Sequence, residues 1–190
     1  MLIDNGFVSL LAKMARLTYG NTNMPKFCMQ SLVRITSNVD VAGNINMFNK
    51  VTCIYMYSTI IEAKKILLEL LDYNIIELIS ICLRGDDVEL IYWAAGLMHE
   101  FVIKDVVADK FRQIKGIHTI LSGLLSAEEM YISRVILRTI KFMAAGQDKF
   151  LQDMVRSGMV KKIMHCLSLN DEDVKQWAIL CIHVVAGQGT

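Results

Sequence analysis

Four residues raise the first chemical question: Tyr131, Arg134, Arg138 and Lys141. Their spacing of three, four and three puts them on one side of an α-helix. Three cations and a phenol on one face suit an anionic segment, acidic or phosphorylated, held by charge-assisted hydrogen bonds. His99, Lys141 and His183 are evenly spaced, at a step of 42 in residue number, and so are Trp93, Val135 and Trp177. Each trio therefore shares a column if the chain repeats at that step. The plainer reading is a solvated charged face for the basic residues and core packing for the two tryptophans.

Other chemistries lack their residues. His99-Glu100 opens like a zinc-protease motif, but Ile103 stands where the second histidine belongs. His118, His165 and His183 have no cysteine or carboxylate at ligand spacing. Cys28, Cys53, Cys82, Cys166 and Cys181 are an odd set with no C-x-x-C pair, and read as small buried hydrophobes. Neither a phosphate-binding glycine loop nor a G-x-S-x-G elbow occurs. The expectation is no enzyme, no cofactor and no metal. With 20 basic and 19 acidic residues the net charge is +1, which disfavours binding driven by a phosphate backbone. The stretch from Arg134 to Lys162 holds seven basic residues against Asp148 and Asp153, a modest bias that leaves weak nucleic-acid binding as a minor alternative.

The elements that position these groups come from composition and period. In 190 residues, 54% are hydrophobic and one is proline. That apolar share excludes a disordered chain and supplies a sizeable core. No run reaches the roughly 20 apolar residues of a membrane span; Val51 to Ile61 is the longest candidate and contains Thr52, Ser58 and Thr59. Asp4 sits where a secretory signal needs basic residues. The expected setting is intracellular, the cytoplasm rather than the nucleus.

Shifting the chain by that step of 42 aligns columns without gaps. Asn74, Gly116 and Gly158 coincide, as do Ile75, Ile117 and Met159, then Ile79, Leu121 and Ile163. Later columns hold Leu90, Ile132 and Val174, then Ala94, Ile136 and Ala178, then Met98, Ile140 and Ile182. Apolar residues recur at three and four, predicting amphipathic helices over 128–145 and its two counterparts. Acidic residues precede each of them: Asp86-Asp87, Glu128-Glu129 and Asp171-Glu172, as capping and the helix dipole favour. Shorter helices are expected over 75–83, 117–125 and 159–167, each opened by the Gly or Asn slot. No such helix buries its apolar side alone, so the units must stack. The fold class is all-α.

The segments "GIHTILSGLLSAEEMYISRVILRTI", "SGMVKKIMHCLSLNDEDVKQWAILCI" and "DYNIIELISICLRGDDVELIYWAAGLM" resemble the second and third helices of the armadillo repeat. HEAT repeats are the nearby alternative, with two helices and a Pro or Asp-Arg signature absent here. The resemblance implies a right-handed α-solenoid of three-helix repeats, with units at 62–103, 104–145 and 146–187 and degenerate armadillo-like helices over 1–61. The first helices match less cleanly: Asp109-Lys110-Phe111 and Asp148-Lys149-Phe150 recur at a step of 39 instead of 42. "DNGFVSLLAKMARL" looks like a second helix with Gly6 in the glycine slot, although the interval from Gly6 to Asn74 is no multiple of 42. The helices between 21 and 59 have no assigned register.

Armadillo repeats bind partners along the concave surface of their third helices, often with a Trp and an Asn four positions later. Trp93 and Trp177 match the Trp slot, whereas Leu97, Thr139 and Cys181 occupy the Asn slot, so the backbone clamp is missing. The expected function is a protein-interaction scaffold presenting Trp93, Trp177, Tyr131, Arg134, Arg138, Lys141, His99 and His183 to a protein or peptide partner. The alternative is a structural or regulatory segment of a larger protein with no groove ligand. In that case the apolar ends, such as 174–185, would meet a further repeat, a parent chain or another copy.

Overall fold

The structure is a computed structural model describing residues 6–20, 23–37, 50–126 and 128–187, with the backbone alone over 50–60. Among the described residues there are helices and turns and no strand. The helices are α1 (Phe7–Leu17), α2 (Met24–Ser37), α3 (Lys50–Leu71), α4 (Ile75–Cys82), α5 (Val88–Ile103) and α6 (Ala108–Arg112). They continue as α7 (Ile117–Gly123), α8 (Met130–Ala144), α9 (Asp148–Arg156), α10 (Met159–His165) and α11 (Glu172–Ala186), with a 3-10 turn at Cys166–Ser168.

Long helices pack in series: α2 on α5, α5 on α8 and α8 on α11. A shorter helix precedes each of them, so a layer of α1, α4, α7 and α10 accompanies the long layer. This is the armadillo type of solenoid. It also assigns part of the register that the sequence left open: α2 is a long helix, equivalent to α5. Residues 21, 22 and 38–49 lie outside the described set.

Local chemistry explains the corners. Gly6, Asn74, Gly116 and Gly158 each precede a second-layer helix with φ of 68°, 52°, 73° and 76°. That left-handed conformation reverses the chain within one residue, and glycine or asparagine takes it with least strain. The expected acidic caps hold at two of three long helices. Asp87 accepts from the Leu90 amide at 3.1 Å and Asp171 from the Val174 amide at 2.9 Å. Glu129 makes no such bond; its own amide donates to Ser126 Oγ at 3.2 Å instead.

The aligned columns are the core. Ile75, Ile117 and Met159 are buried, as are Ile79, Leu121 and Ile163, and Ala94, Ile136 and Ala178. The off-period pair Phe111 and Phe150 is buried too: Phe111 of α6 packs on Phe101 of α5, and Phe150 of α9 packs on His118 of α7. Cys28, Cys82, Cys166 and Cys181 are buried free thiols. Burial, the dominant cause, pushes the thiols of Cys82 and Cys181 up to about 12, so neither is a nucleophile at neutral pH.

Candidate partner-binding face

The side chains singled out by spacing lie on α5, α8 and α11. Aligned positions differ by 42 in residue number, but three pairs of touching side chains on this face differ by 39. Tyr92 meets Tyr131 edge-on at 5.3 Å between ring centres. Arg134 reaches Asp173 at 3.5 Å, and the Arg138 guanidinium lies over the Trp177 ring at 5.1 Å. Helical side chains lean toward the N-terminus, so each one contacts the turn before its aligned position on the next helix.

This lean separates the three cations. Arg134 Nε donates to both oxygens of Asp171 at 3.2 Å, and its Nη2 sits 2.5 Å from Oδ2. The same Asp171 caps α11, so Arg134 ties α8 to the start of the next long helix. The paired guanidinium holds the Asp171 carboxyl below its usual value. Lys26 does the same job two steps earlier, 2.8 Å from Asp87 and 3.7 Å from Glu89. Arg134 is thus largely engaged in structure. Arg138 and Lys141, by contrast, form no ion pair among the described residues. Arg138 stacks on Trp177, and its Nε is buried without a hydrogen-bond partner. Lys141 rests over Phe142 at 4.1 Å.

Spacing placed His99 on the same polar face; the structure places it inside, 6% exposed. Its Nδ1 lies 3.3 Å from Thr139 Oγ1 across the seam between α5 and α8. One more turn along α5 carries the column inward, where α8 covers it. Burial, then the positive charges of Arg138 and Lys104, push the imidazole down to about 4. Beside it, Glu100 and Lys104 form a buried ion pair.

The other predicted residues are at the surface. His183 is exposed in the last turn of α11, and Tyr131 is 43% exposed. Trp93 and Trp177 are half-buried, so each packs on the core and keeps part of its ring accessible. Trp93 also meets Tyr92 edge-on at 4.9 Å. The aromatic strip is therefore Trp93, Tyr92 and Tyr131, followed by the Arg138–Trp177 stack. Tyr92 carries no motif in the sequence, but its spacing of seven from His99 puts it on the same side of the helix. Leu97, Thr139 and Cys181, at the Asn slot, are fully buried or nearly so. Thr139 and Cys181 turn their polar atoms to Val135 and Leu137 carbonyls, leaving no amide clamp.

Among the described residues no group of His, Cys, Asp and Glu could hold a metal ion, and no helix is long and apolar enough to cross a membrane. No protein-family model matches the chain, and no curated protein is similar to it. Solved structures are similar in fold. A designed armadillo repeat protein in complex with the peptide (KR)4 aligns over 97% of this chain and 84% of its own, with TM-score 0.61 and 14% identity. A computationally designed armadillo repeat protein for modular peptide recognition aligns over 96% and 84%, with TM-score 0.61 and 14% identity. A structure described as an engineered protein aligns over 93% and 79%, with TM-score 0.61 and 16% identity. The chain therefore has an armadillo-like repeat fold.

Proposed function

We propose that this chain is an interaction scaffold that takes an acidic or phosphorylated segment along α8 and α11. Arg138 and Lys141 supply the charge, Trp177 and Tyr131 the flat apolar contacts, and His183 the far edge. The observation that carries this reading is the contrast among the cations: Arg134 is neutralised by Asp171 and Asp173, whereas Arg138 and Lys141 have no acidic partner among the described residues. A carboxylate or phosphate would complete them with charge-assisted bonds. Arg134 then acts by holding α8 against α11.

The test is fluorescence anisotropy with four labelled peptides: Glu-rich, phosphoserine-bearing, neutral and (KR)4. The Glu-rich or phosphoserine peptide binds, affinity falls with added salt, and Arg138→Glu with Lys141→Glu weakens it by about tenfold or more. Preference for (KR)4, or binding indifferent to the double charge reversal, refutes the site.

A second reading rests on Ile179. It is 57% exposed, while its aligned counterparts Ala95 and Leu137 are fully covered by the following long helix. This supports a structural role in which another helical surface covers α11. Ile179→Lys would then abolish self-association or assembly, measured by sedimentation, without touching the peptide binding above.

A further inference from the structure

Two clefts of nearly equal size lie on the side of the molecule away from Arg138 and Lys141. The first is lined by α3, α4 and α6 and the second by α6, α7 and α9, and neither by the long helices carrying the basic strip. The first, about 400 Å³, has apolar walls from Leu71, Ile76, Ile81 and Ile114, with Asn74, Glu77, Ser80 and Lys110 also in its lining. The second, about 390 Å³, has Gln113, His118, Gln147 and Asp153 on its walls, with Lys149 and Phe150 beside them.

They are the same cleft built twice. Leu71 and Gln113 are related by the step of 42, as are Ile76 and His118. Ile114 and Asp153 share the offset of 39 that relates α6 to α9, as do Lys110 and Lys149. Three apolar wall positions of the first are thus polar in the second. The short helix α6 separates them, with Lys110 facing one cleft and Asp109 and Arg112 the other. Neighbouring helices space the two clefts by about 10 Å, the length of one three-residue turn of polyproline II, which returns side chains i and i+3 to the same face.

The second cleft is balanced in charge. Asp109 and Arg112 pair with each other, and Arg112 Nε donates to the Met143 carbonyl at 2.9 Å. Asp153 pairs with Arg156 at 3.7 Å, and Lys149 is the remaining cation of the lining. A guest carboxylate is drawn to Lys149 but repelled by Asp153, and a guest ammonium the reverse, so the cleft favours neither sign of charge. A neutral group with both a donor and an acceptor meets neither obstacle. His118 Nε2 is buried there without a hydrogen-bond partner, and its ring lies 4.4 Å from that of Phe150. Burial holds this imidazole below its ordinary value, with Asp153 and a hydrogen bond to the Phe150 backbone partly opposing, so it is neutral at pH 7.

We infer that this face is a second docking site, for a short protein segment in polyproline II conformation carrying an aliphatic side chain and, three residues away, an amide side chain. The aliphatic group fills the cleft of Leu71, Ile76 and Ile114. The amide of Asn or Gln fills the cleft of Gln113, His118 and Gln147 and satisfies the His118 nitrogen. The site is independent of the basic strip.

The experiment uses the full chain and short labelled peptides with a Ser/Gly background, read by anisotropy. The probes are Leu-x-x-Gln and its reverse Gln-x-x-Leu, with Leu-x-x-Glu, Leu-x-x-Lys, Leu-x-x-Leu and Ser-x-x-Gln. One amide-bearing order binds best, and replacing its Leu by Ser costs about tenfold, as the loss of one partly buried aliphatic group implies. Glu or Lys in place of Gln weakens binding by a similar factor. His118→Ile installs the residue of the first cleft and shifts preference toward Leu-x-x-Leu. Gln113→Leu, at an exposed position, does the same by a second route. Arg138→Glu with Lys141→Glu leaves all of this unchanged. The inference is overturned if no peptide binds, if Glu or Lys serves as well as Gln, if neither variant shifts the preference, or if the basic-strip reversal abolishes binding.

Discussion

Acid should open the seam between α5 and α8 through one residue, His99. It is buried and hydrogen-bonded to Thr139, and Arg138 and Lys104 add positive charge nearby. Its imidazole titrates near 4 in the folded chain against 6.5 when free. The sign follows directly. Between pH 6.5 and 4 the unfolded chain binds this proton and the folded chain does not, so stability falls as pH drops through that window and levels off below it. Near pH 4 the cost reaches about 3 kcal/mol, and at pH 5 it is about 2 kcal/mol. For a chain of this length, about 2 kcal/mol lowers the melting temperature by about 4–8 °C. The assay is thermal unfolding followed by circular dichroism at pH 7 and pH 5, for the native chain and for His99→Gln. The glutamine keeps a polar atom near Thr139 and removes the proton site. The native chain should lose about 2 kcal/mol more than the variant on going to pH 5. The remaining titrating groups are common to both and cancel in the difference. Parallel melting curves at the two pH values would refute the argument. So would an NMR titration placing His99 near 6.5.

Three further outcomes follow from the packing and the corners. Gly158→Ala and Gly116→Ala should each cost about 1 kcal/mol in urea unfolding, from backbone strain alone, since an added Cβ meets nothing within 4 Å at either site. Asn74→Gly should do the reverse and leave stability equal or slightly higher, because Asn74 holds φ 52°, where glycine meets no steric penalty. Phe101→Ala should cost about 3–5 kcal/mol, the range for emptying a buried aromatic site, since Phe101 is fully buried and packs on Phe111 at 5.5 Å. A loss under about 1 kcal/mol, far below that range, would mean that the core does not join α5 to α6 there.

The chain itself determined the repeat. Apolar columns, glycine slots and acidic starts are local requirements of helices and corners, and local requirements repeat visibly when each unit meets only its neighbours. Ile75, Ile117 and Met159 announce a buried column, and Gly116 and Gly158 a left-handed corner, before any coordinate is known. Tertiary structure decided which polar side chains remain available. Arg134, Arg138 and Lys141 look alike along α8, yet Asp171 takes the first and leaves the other two, because side chains lean one turn onto the next helix. His99 shares a column with Lys141 and His183 but lies under α8, because burial depends on the neighbouring helix as well as on its own. The paired clefts beside α6 combine the offsets of 42 and 39, and only packing shows that positions on the two periods meet at one wall.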